Sequence, residues 1–304
     1  METINKITTS KQTTMYDHLC KMIIGNEEVL SRIIKAAVDE ANHLNVEEIR
    51  RLIKGVHIGD LIVNPHFHLV DKKGFIKDEG MVYYDILCYI DVPQEDGKNI
   101  RVYLYVEIQN NPYPGYSIIT RGYAYVSRIV SEQWGSEYDD KNYDGMKKVY
   151  SLWIMPKAPK RKDGHMNVYE TNERIICGTT VEEKEIYDKG VILAIYLNKE
   201  HDELLTPLMV LLNNVLDYKG KQRIIEEYGL NTKKVESEVK DMCDLGESIV
   251  LEARNEGKQI ERKEKNIAHV KKLMIGLQMS FKEAVCLLEI PEKEIKEIEK
   301  YFQS

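Results

Sequence analysis

The stretch VYLYVEIQNNPYPG, from Val102 to Gly115, contains a predicted strand whose two faces differ in chemistry. Side chains alternate between the faces of a strand, and one face here is aliphatic: Val102, Leu104, Val106 and Ile108. The other face begins aromatic and ends polar: Tyr103, Tyr105, Glu107 and Gln109. The prolines and glycine of NNPYPG cannot continue a ladder, so a turn follows the strand. A carboxylate and an amide that share one face before a turn predict a site at this strand end.

Four segments rich in strand-forming residues predict one sheet around this stretch. They are residues 81–92, 101–109, 147–156 and 190–198. The turn sequence PQEDGKN predicts that the first two strands form a hairpin, and the last segment, apolar on both faces, predicts an interior strand. Residues 116–134 have a helical period, which predicts a helix between the second and third strands. This order indicates an α/β fold class, with a mixed β-sheet core flanked by helices.

Helical patterns precede and follow the predicted sheet. Residues 15–54 are helical in pattern, and within them Asn45 is predicted to cap a short helix that ends at Gly55. The strongly apolar segment 203–216 is predicted to be a helix that packs on the sheet. We therefore place an α/β domain at residues 1–222 and a helical extension at residues 223–304.

The C-terminal extension contains a long charged helix and a short helix pair. The long helix is predicted over 232–277, and Ser280 and Pro291 are predicted to begin the two helices that follow. A heptad-like apolar seam runs along the long helix: Val235, Val239, Met242, Ile249, Ala253, Ile260 and Ile267. This seam fits a coiled-coil contact that would make the protein a homo-oligomer, and it fits a solvated helix equally well.

The bulk composition narrows the class of protein. The net charge of −7 gives no overall attraction to nucleic acid or to an anionic membrane, so contact with DNA would need local basic patches or metal ions. The five cysteines form no CxxC pair, which is typical of buried thiols in a reducing cytosol. No stretch approaches the roughly 18 apolar residues of a membrane span. We therefore expect a cytoplasmic protein with no membrane partner.

Two carboxylates on the predicted hairpin form a candidate metal site. Asp85 lies early in the first strand and Glu107 late in the second, so a hairpin brings both to the same end. Carboxylate oxygens are the ligands that Mg²⁺ and Mn²⁺ prefer. Asp91 is the competing acid in the first strand, but its place beside the turn is typical of a turn or capping residue.

The order of these elements resembles a known group of enzymes. A helix, then YYDILCYIDV, then YLYVEIQ, then a helix containing TRGYAYVSRIV resembles the PD-(D/E)XK nuclease superfamily, and in particular its bacterial PD-(D/E)XK nuclease family transposases, or recombination-promoting nucleases. The resemblance covers roughly residues 24–200, and it implies a restriction-endonuclease-like fold. In this group the motif lysine is typically replaced, which gives the pattern D…ExQ found here.

The resemblance implies roles for individual residues. Asp85, Glu107 and Gln109 would be the catalytic positions, with Asp85 and Glu107 as ligands of Mg²⁺ or Mn²⁺. The superfamily often adds a carboxylate from the first core helix, for which Glu40 is the candidate and Asp39 the alternative. Gln109 carries no charge, so either the metal ion must contribute more to catalysis or a cation must come from elsewhere.

The helix after the predicted hairpin can supply that charge. Arg121, Tyr125 and Arg128 follow one another at spacings of four and three residues, which predicts one helix face able to bind substrate phosphate. A basic loop, KAPKRKDG over residues 157–164, is either a contact to the DNA backbone or a solvated loop.

These features lead to two hypotheses of different class. The first is a metal-dependent DNA endonuclease that hydrolyses phosphodiester bonds, linked by the resemblance to recombination or mobile elements. The second is a catalytically inactive relative that keeps the nuclease-like fold as a DNA-binding or protein-interaction module. Metal binding by Asp85 and Glu107 distinguishes the two.

Overall fold

The computed structural model describes residues 14–61, 84–95, 97–111, 113–197, 205–212, 218–230 and 232–303. The helices within these ranges are α1 (14–24), α2 (Glu27–Ala37), α3 (Val46–Leu52), α4 (Ile118–Glu132), α5 (Lys184–Tyr187), α6 (Leu205–Leu212), α7 (Tyr218–Glu227), α8 (Lys233–Gly276), α9 (Phe281–Leu287) and α10 (Glu292–Gln303). The strands are β1 (Ile53–Leu61), β2 (Tyr84–Pro93), β3 (Asn99–Ile108), β4 (Lys148–Met155), β5 (Met166–Tyr169) and β6 (Gly190–Tyr196). Short 3₁₀ segments lie at Asp39–Ala41, Tyr143–Gly145 and Lys160–Lys162.

The strands form one six-stranded mixed sheet in the order β1-β2-β3-β4-β6-β5. The first three strands are antiparallel, β3, β4 and β6 are parallel, and β5 is antiparallel to β6. Helix α4 connects the parallel strands β3 and β4. The four predicted strands, the hairpin, the connecting helix and the interior position of β6 are therefore confirmed within the described residues.

Strand β3 carries the predicted alternation of its two faces. Its aliphatic side chains join a core with residues of the early and late helices, such as Ile33 and Val239. Tyr103 and Tyr105 join a second core on the other face, which α4 covers with Val126 and Ile129. Both faces of the sheet are thus packed against helices, as expected for a parallel region.

Strands β1 and β5 lie where the sequence pattern predicted none. Helix α3 ends at Leu52 and β1 begins at the next residue, so the prediction that this helix ends at Gly55 is wrong. Gly55 has φ of 60° and lies inside the strand, where the register to β2 shifts between Lys54 and His57. The glycine therefore serves a bulge, which needs a left-handed residue, and does not terminate a helix. The predicted cap is confirmed, because Asn45 and Glu48 form a capping box.

Close packing fixes α4 against the sheet. A Cβ atom at Gly122 would lie 3.0 Å from both the Trp153 indole nitrogen and a methyl group of Ile192. A larger residue here would force these side chains to shift by a few tenths of an ångström, so glycine favours the close approach of the helix to β4 and β6. The neighbouring residue, Arg121, is thereby held at the surface of the second core.

The chain divides into two compact units, Met1–Leu245 and Gly246–Ser304, later in the chain than the predicted boundary after residue 222. The reason is that the start of α8 contributes Val235, Val239 and Met242 to the core of the first unit. In the second unit, Ser280 caps α9 in a capping box, and α10 begins directly after Pro291.

The second unit has a small apolar core of its own. It contains Val270, Ala284, Val285, Ile290 and Ile298. Ile267 packs against this core, whereas Ile260 is 60% exposed. The side chains of Ile249 and Ala253 lie outside the described part of the structure, and homo-oligomerisation through α8 stays a prediction. Of the helices described, none is long and apolar enough to cross a membrane.

Candidate functional site

Asp85 is a buried carboxylate near the start of β2. Its Oδ2 accepts a hydrogen bond from the backbone N–H of Ile108 at 2.9 Å, which ties it to the end of β3. Its Oδ1 lies 2.7 Å from Nζ of Lys21, and the same ammonium lies 3.1 Å from Asp17 one helical turn earlier. Asp17 also accepts a hydrogen bond from the side chain of Asn110 at 2.9 Å. Helix α1 therefore joins the strand ends through a charged network.

Glu107 is equally buried and is held by a different cation. Its Oε2 accepts a hydrogen bond from the Tyr105 hydroxyl, and its Oε1 lies 3.1 Å from Nη2 of Arg121. The Arg121 guanidinium lies 5.1 Å from the Tyr125 ring centre and 5.3 Å from the Trp153 ring centre. The rings cover part of the guanidinium and Glu107 is buried, so water screens this charge pair less than it would a fully exposed pair. We call Asp85, Glu107, Lys21 and Arg121 the carboxylate–cation site.

The two carboxylates affect each other electrostatically. Burial, together with the nearby charge of Asp85, raises the pKa of Glu107 to about 7. Burial also raises the pKa of Asp85, although the Ile108 N–H and Lys21 act in the opposite direction. Two buried acids in one site favour a nearby positive charge, which Lys21 and Arg121 supply here.

The raised pKa of Glu107 predicts that the stability of the fold depends on pH. Because the pKa of Glu107 rises from 4.5 to about 7 on folding, the folded chain holds this proton more tightly, and stability falls as pH rises from about 4.5 to 7. Glu107→Gln removes that loss. We expect the free energy of unfolding of Glu107→Gln, relative to the wild type, to increase by about 1–3 kcal/mol between pH 5 and pH 8. Urea unfolding at both pH values measures it, and a difference that does not change with pH contradicts the prediction.

Gln109 follows the end of β3 and lies on the turn side of the site. Its side-chain Nε2 donates a hydrogen bond to the carbonyl of Asn111 at 2.8 Å, and its backbone N–H donates to the carbonyl of Ile154. The amide therefore holds the turn after the strand. A role in catalysis stays a prediction for this residue.

The phosphate-binding residues predicted on α4 are brought together only in part. Arg121 donates a hydrogen bond from Nη2 to the Tyr125 hydroxyl at 2.6 Å, so these two side chains act as one group beside Glu107. Arg128 lies further along the helix and pairs with Glu132 at 3.9 Å. Of the two arginines predicted on this face of α4, Arg121 is thus the one that contacts Glu107.

Glu40 does not lie with Asp85 and Glu107. It accepts a hydrogen bond from the Tyr150 hydroxyl at 2.8 Å and pairs with Lys148 at 3.1 Å. These partners begin β4, whereas Glu107 is level with Trp153 further along the strand. The Tyr150 side chain also belongs to the core on the opposite face of the sheet from Tyr105. The expectation that Glu40 joins the metal ligands is therefore corrected, and the alternative, Asp39, lies on the same 3₁₀ segment as Glu40.

Helix α1 brings one acid, Asp17, and one base, Lys21, to the site. Sequence analysis missed both residues. Their signal was an acid and a base at i and i+4 on the first helical segment, a pattern that is common on solvated helix faces. The competing acid Asp91 pairs with Arg101 at 2.7 Å and Lys54 at 3.0 Å near the hairpin turn, at the other end of β2.

No protein-family model, curated protein or solved structure matches this chain. Among the described residues, no group of three or more His, Cys, Asp or Glu side chains is arranged to hold a metal ion. The chemistry that this protein can perform therefore depends on what the carboxylate–cation site itself can bind. Two buried acids, each beside a cation, can bind a divalent ion in place of those cations, and the released Lys21 and Arg121 can then bind a phosphate group.

Basic residues continue beyond the parallel strands. Lys157 follows the end of β4, is exposed, and places its Nζ 5.7 Å from the ring centre of Tyr16 on α1. Lys160 and Arg161 are exposed, and Lys162 donates a hydrogen bond to the Tyr196 hydroxyl at 2.8 Å. The loop begins at the end of the sheet where β3 also ends, because β3 and β4 run parallel.

Proposed function

We propose that this protein is a metal-dependent DNA endonuclease with a restriction-endonuclease-like fold. The observation that carries the proposal is the convergence of Asp85 and Glu107, both buried, at adjacent strand ends beside Lys21 and Arg121. The mixed sheet with helices on both faces supports it. The resemblance to PD-(D/E)XK nuclease family transposases adds an expected link to recombination or mobile elements.

The donor chemistry of the pair fits Mg²⁺ or Mn²⁺. Mg²⁺ is commonly held by one or two carboxylates, with water and substrate phosphate as its other ligands. Asp85 and Glu107 would supply those carboxylates, and their raised pKa values reflect a demand for positive charge that such an ion meets. When bound, the ion would polarise the phosphate and lower the pKa of the attacking water.

The remaining residues bind and orient the DNA strand in this proposal. Arg121 has a rigid guanidinium, held by Tyr125, that can donate to two phosphate oxygens at once. Lys21 provides a second positive charge on the Asp85 side of the site. The basic loop after β4 adds positive charges that can contact the DNA backbone. Because these contacts are electrostatic, the affinity for DNA should fall as the salt concentration rises.

A nuclease assay with matched variants tests the proposal. We expect the wild type to cleave plasmid and single-stranded DNA with Mg²⁺ or Mn²⁺ and not with EDTA, and we expect Asp85→Asn to be inactive. Asp91→Asn is the control, because it changes the same residue type on the same strand in an ion pair near the other end. Equal activity of Asp85→Asn and Asp91→Asn would refute the proposed site.

A second candidate is a nuclease-like module that binds DNA or protein without cleaving it. One observation favours it: each carboxylate already has a cation partner, and the Gln109 amide is bound to its own turn. Wild-type protein that binds DNA but fails to cleave it at any Mg²⁺ or Mn²⁺ concentration would support this candidate.

A further inference from the structure

Two tyrosines in the connection between β3 and α4 have exposed side chains, and one of them contacts the carboxylate–cation site. Tyr113 lies in the turn after β3 and is 74% exposed, and Tyr116 lies just before α4 and is 49% exposed. Arg121 donates a hydrogen bond from Nη1 to the Tyr116 hydroxyl, so this ring is in direct contact with the cation that pairs with Glu107. Large aromatic side chains normally bury most of their area. An exposed ring beside a cation that can hold a phosphate is suited to a flat ligand that carries phosphate.

Tyr116 is joined through Arg121 to a pair of stacked rings that begins in the core. The rings of buried Tyr105 and half-buried Tyr125 are parallel within 5°, with centres 5.0 Å apart. The Arg121 guanidinium lies 5.1 Å from the Tyr125 ring centre and 5.5 Å from that of Tyr116. Arg121 therefore holds the Tyr116 hydroxyl, and the exposed part of the Tyr116 ring can contact a flat ligand.

The turn that carries Tyr113 is held by hydrogen bonds from the strand end. Gln109 donates to the carbonyl of Asn111, and the Asn111 side chain accepts a hydrogen bond from the N–H of Tyr113 at 3.0 Å. A ring held in place by its backbone loses less entropy on binding than one on a free loop. Gln109 is thus a positioning residue for Tyr113.

We propose that Tyr113 and Tyr116 bind unpaired DNA bases by stacking. The preferred substrate is then single-stranded DNA, or a duplex with unpaired bases at the cleavage position. Bases in an intact duplex are already stacked on their neighbours and must be extruded before they can reach a protein ring. Arg121 would hold the adjacent phosphate. The choice of DNA as ligand rests on the proposed function.

The test uses full-length protein with EDTA and an oligonucleotide that contains 2-aminopurine, whose fluorescence falls when it stacks. We expect quenching with the single strand and weaker binding to the matched duplex. Tyr116→Leu and Tyr113→Leu should each raise the Kd for the single strand by about 5- to 150-fold, the range for loss of one stacked base. Tyr116→Phe keeps the ring and should retain quenching.

Tyr123 provides a matched control on α4. It is also 49% exposed, but it lies two residues after Arg121 and so on another side of the helix. We expect Tyr123→Leu to bind as the wild type does. EDTA prevents metal-dependent cleavage, so the quenching test measures binding alone. Quenching in EDTA, combined with no cleavage in the separate nuclease assay with Mg²⁺ or Mn²⁺, would refute the endonuclease and support the stacking site. An unchanged Kd in both Tyr116→Leu and Tyr113→Leu would refute the stacking site, whether or not the protein cleaves DNA.

Discussion

Loss of DNA cleavage by at least about 1000-fold is the expected result of replacing Glu107 with alanine or glutamine. In the proposed site Glu107 supplies one of two protein carboxylates, so its loss leaves Asp85 alone to hold the ion. Glutamine keeps an oxygen that can accept the hydrogen bond of the buried Tyr105 hydroxyl, whereas alanine leaves that hydroxyl unpaired. The glutamine variant therefore separates loss of chemistry from loss of structure.

The chain offers a close control for this substitution. Glu238 on α8 is also buried, and burial raises its pKa to about 7 as well, but it lies outside the carboxylate–cation site. The stability of Glu238→Gln relative to the wild type should rise as pH rises from about 4.5 to 7, as that of Glu107→Gln does, and this variant should cleave DNA at the wild-type rate. Initial rates on plasmid DNA over a range of Mg²⁺ concentrations measure the effect. Full activity of Glu107→Gln at saturating Mg²⁺ would exclude Glu107 as a ligand.

Removal of the Glu107 carboxylate has opposing effects on the folded state. It relieves the like-charge repulsion with Asp85 that contributes to the raised pKa. It also leaves Arg121 with only Tyr116 and Tyr125 as hydrogen-bond partners among its described contacts, although its side chain is 30% exposed and can be hydrated. We therefore expect Glu107→Gln to stay folded at pH 8, which circular dichroism and urea unfolding can check.

The central part of the fold could be predicted because its signals are local and strong. Strand β3 alternates aliphatic and aromatic side chains, and each set enters its own core. Strand β1 could not be predicted, because it follows α3 without a turn and its Gly55 resembles a helix end. Strand β5 has only four residues, of which three are exposed, so it has no apolar pattern to detect.

The candidate site was predicted along β2 and β3 and missed on α1. Asp85 and Glu107 are joined by a hairpin, so their proximity follows from sequence spacing. Three helices precede the sheet and several carry acids, and the sequence does not reveal which helix meets the strand ends. That information lies in long-range packing, which brings Lys21 to Asp85 and leaves Glu40 beside Tyr150.

Gln109→Ala is expected to reduce cleavage by about 10- to 1000-fold, the scale for loss of one aligned hydrogen-bonding group. The amide at position 109 holds Asn111, and through it the turn that carries Tyr113. If the loss arises from that turn, Gln109→Ala should also weaken single-strand binding in EDTA. If Gln109 acts only on the attacking water, binding in EDTA should be unchanged while the rate falls.

Gln109→Lys introduces the residue that is usual in the PD-(D/E)XK superfamily, which the sequence resembles, and under the proposed function we expect it to retain or increase cleavage. A lysine at this position can donate to the Asn111 carbonyl as the glutamine does, so the turn need not be lost. Beside two carboxylates its ammonium stays charged, and it can approach either the phosphate or the acids. Competition for the acids would appear as a higher Mg²⁺ requirement with the same maximal rate. A folded Gln109→Lys variant that is inactive at every Mg²⁺ and Mn²⁺ concentration would show that the end of β3 is not arranged as in these nucleases, and the catalytic assignment of Gln109 would be wrong.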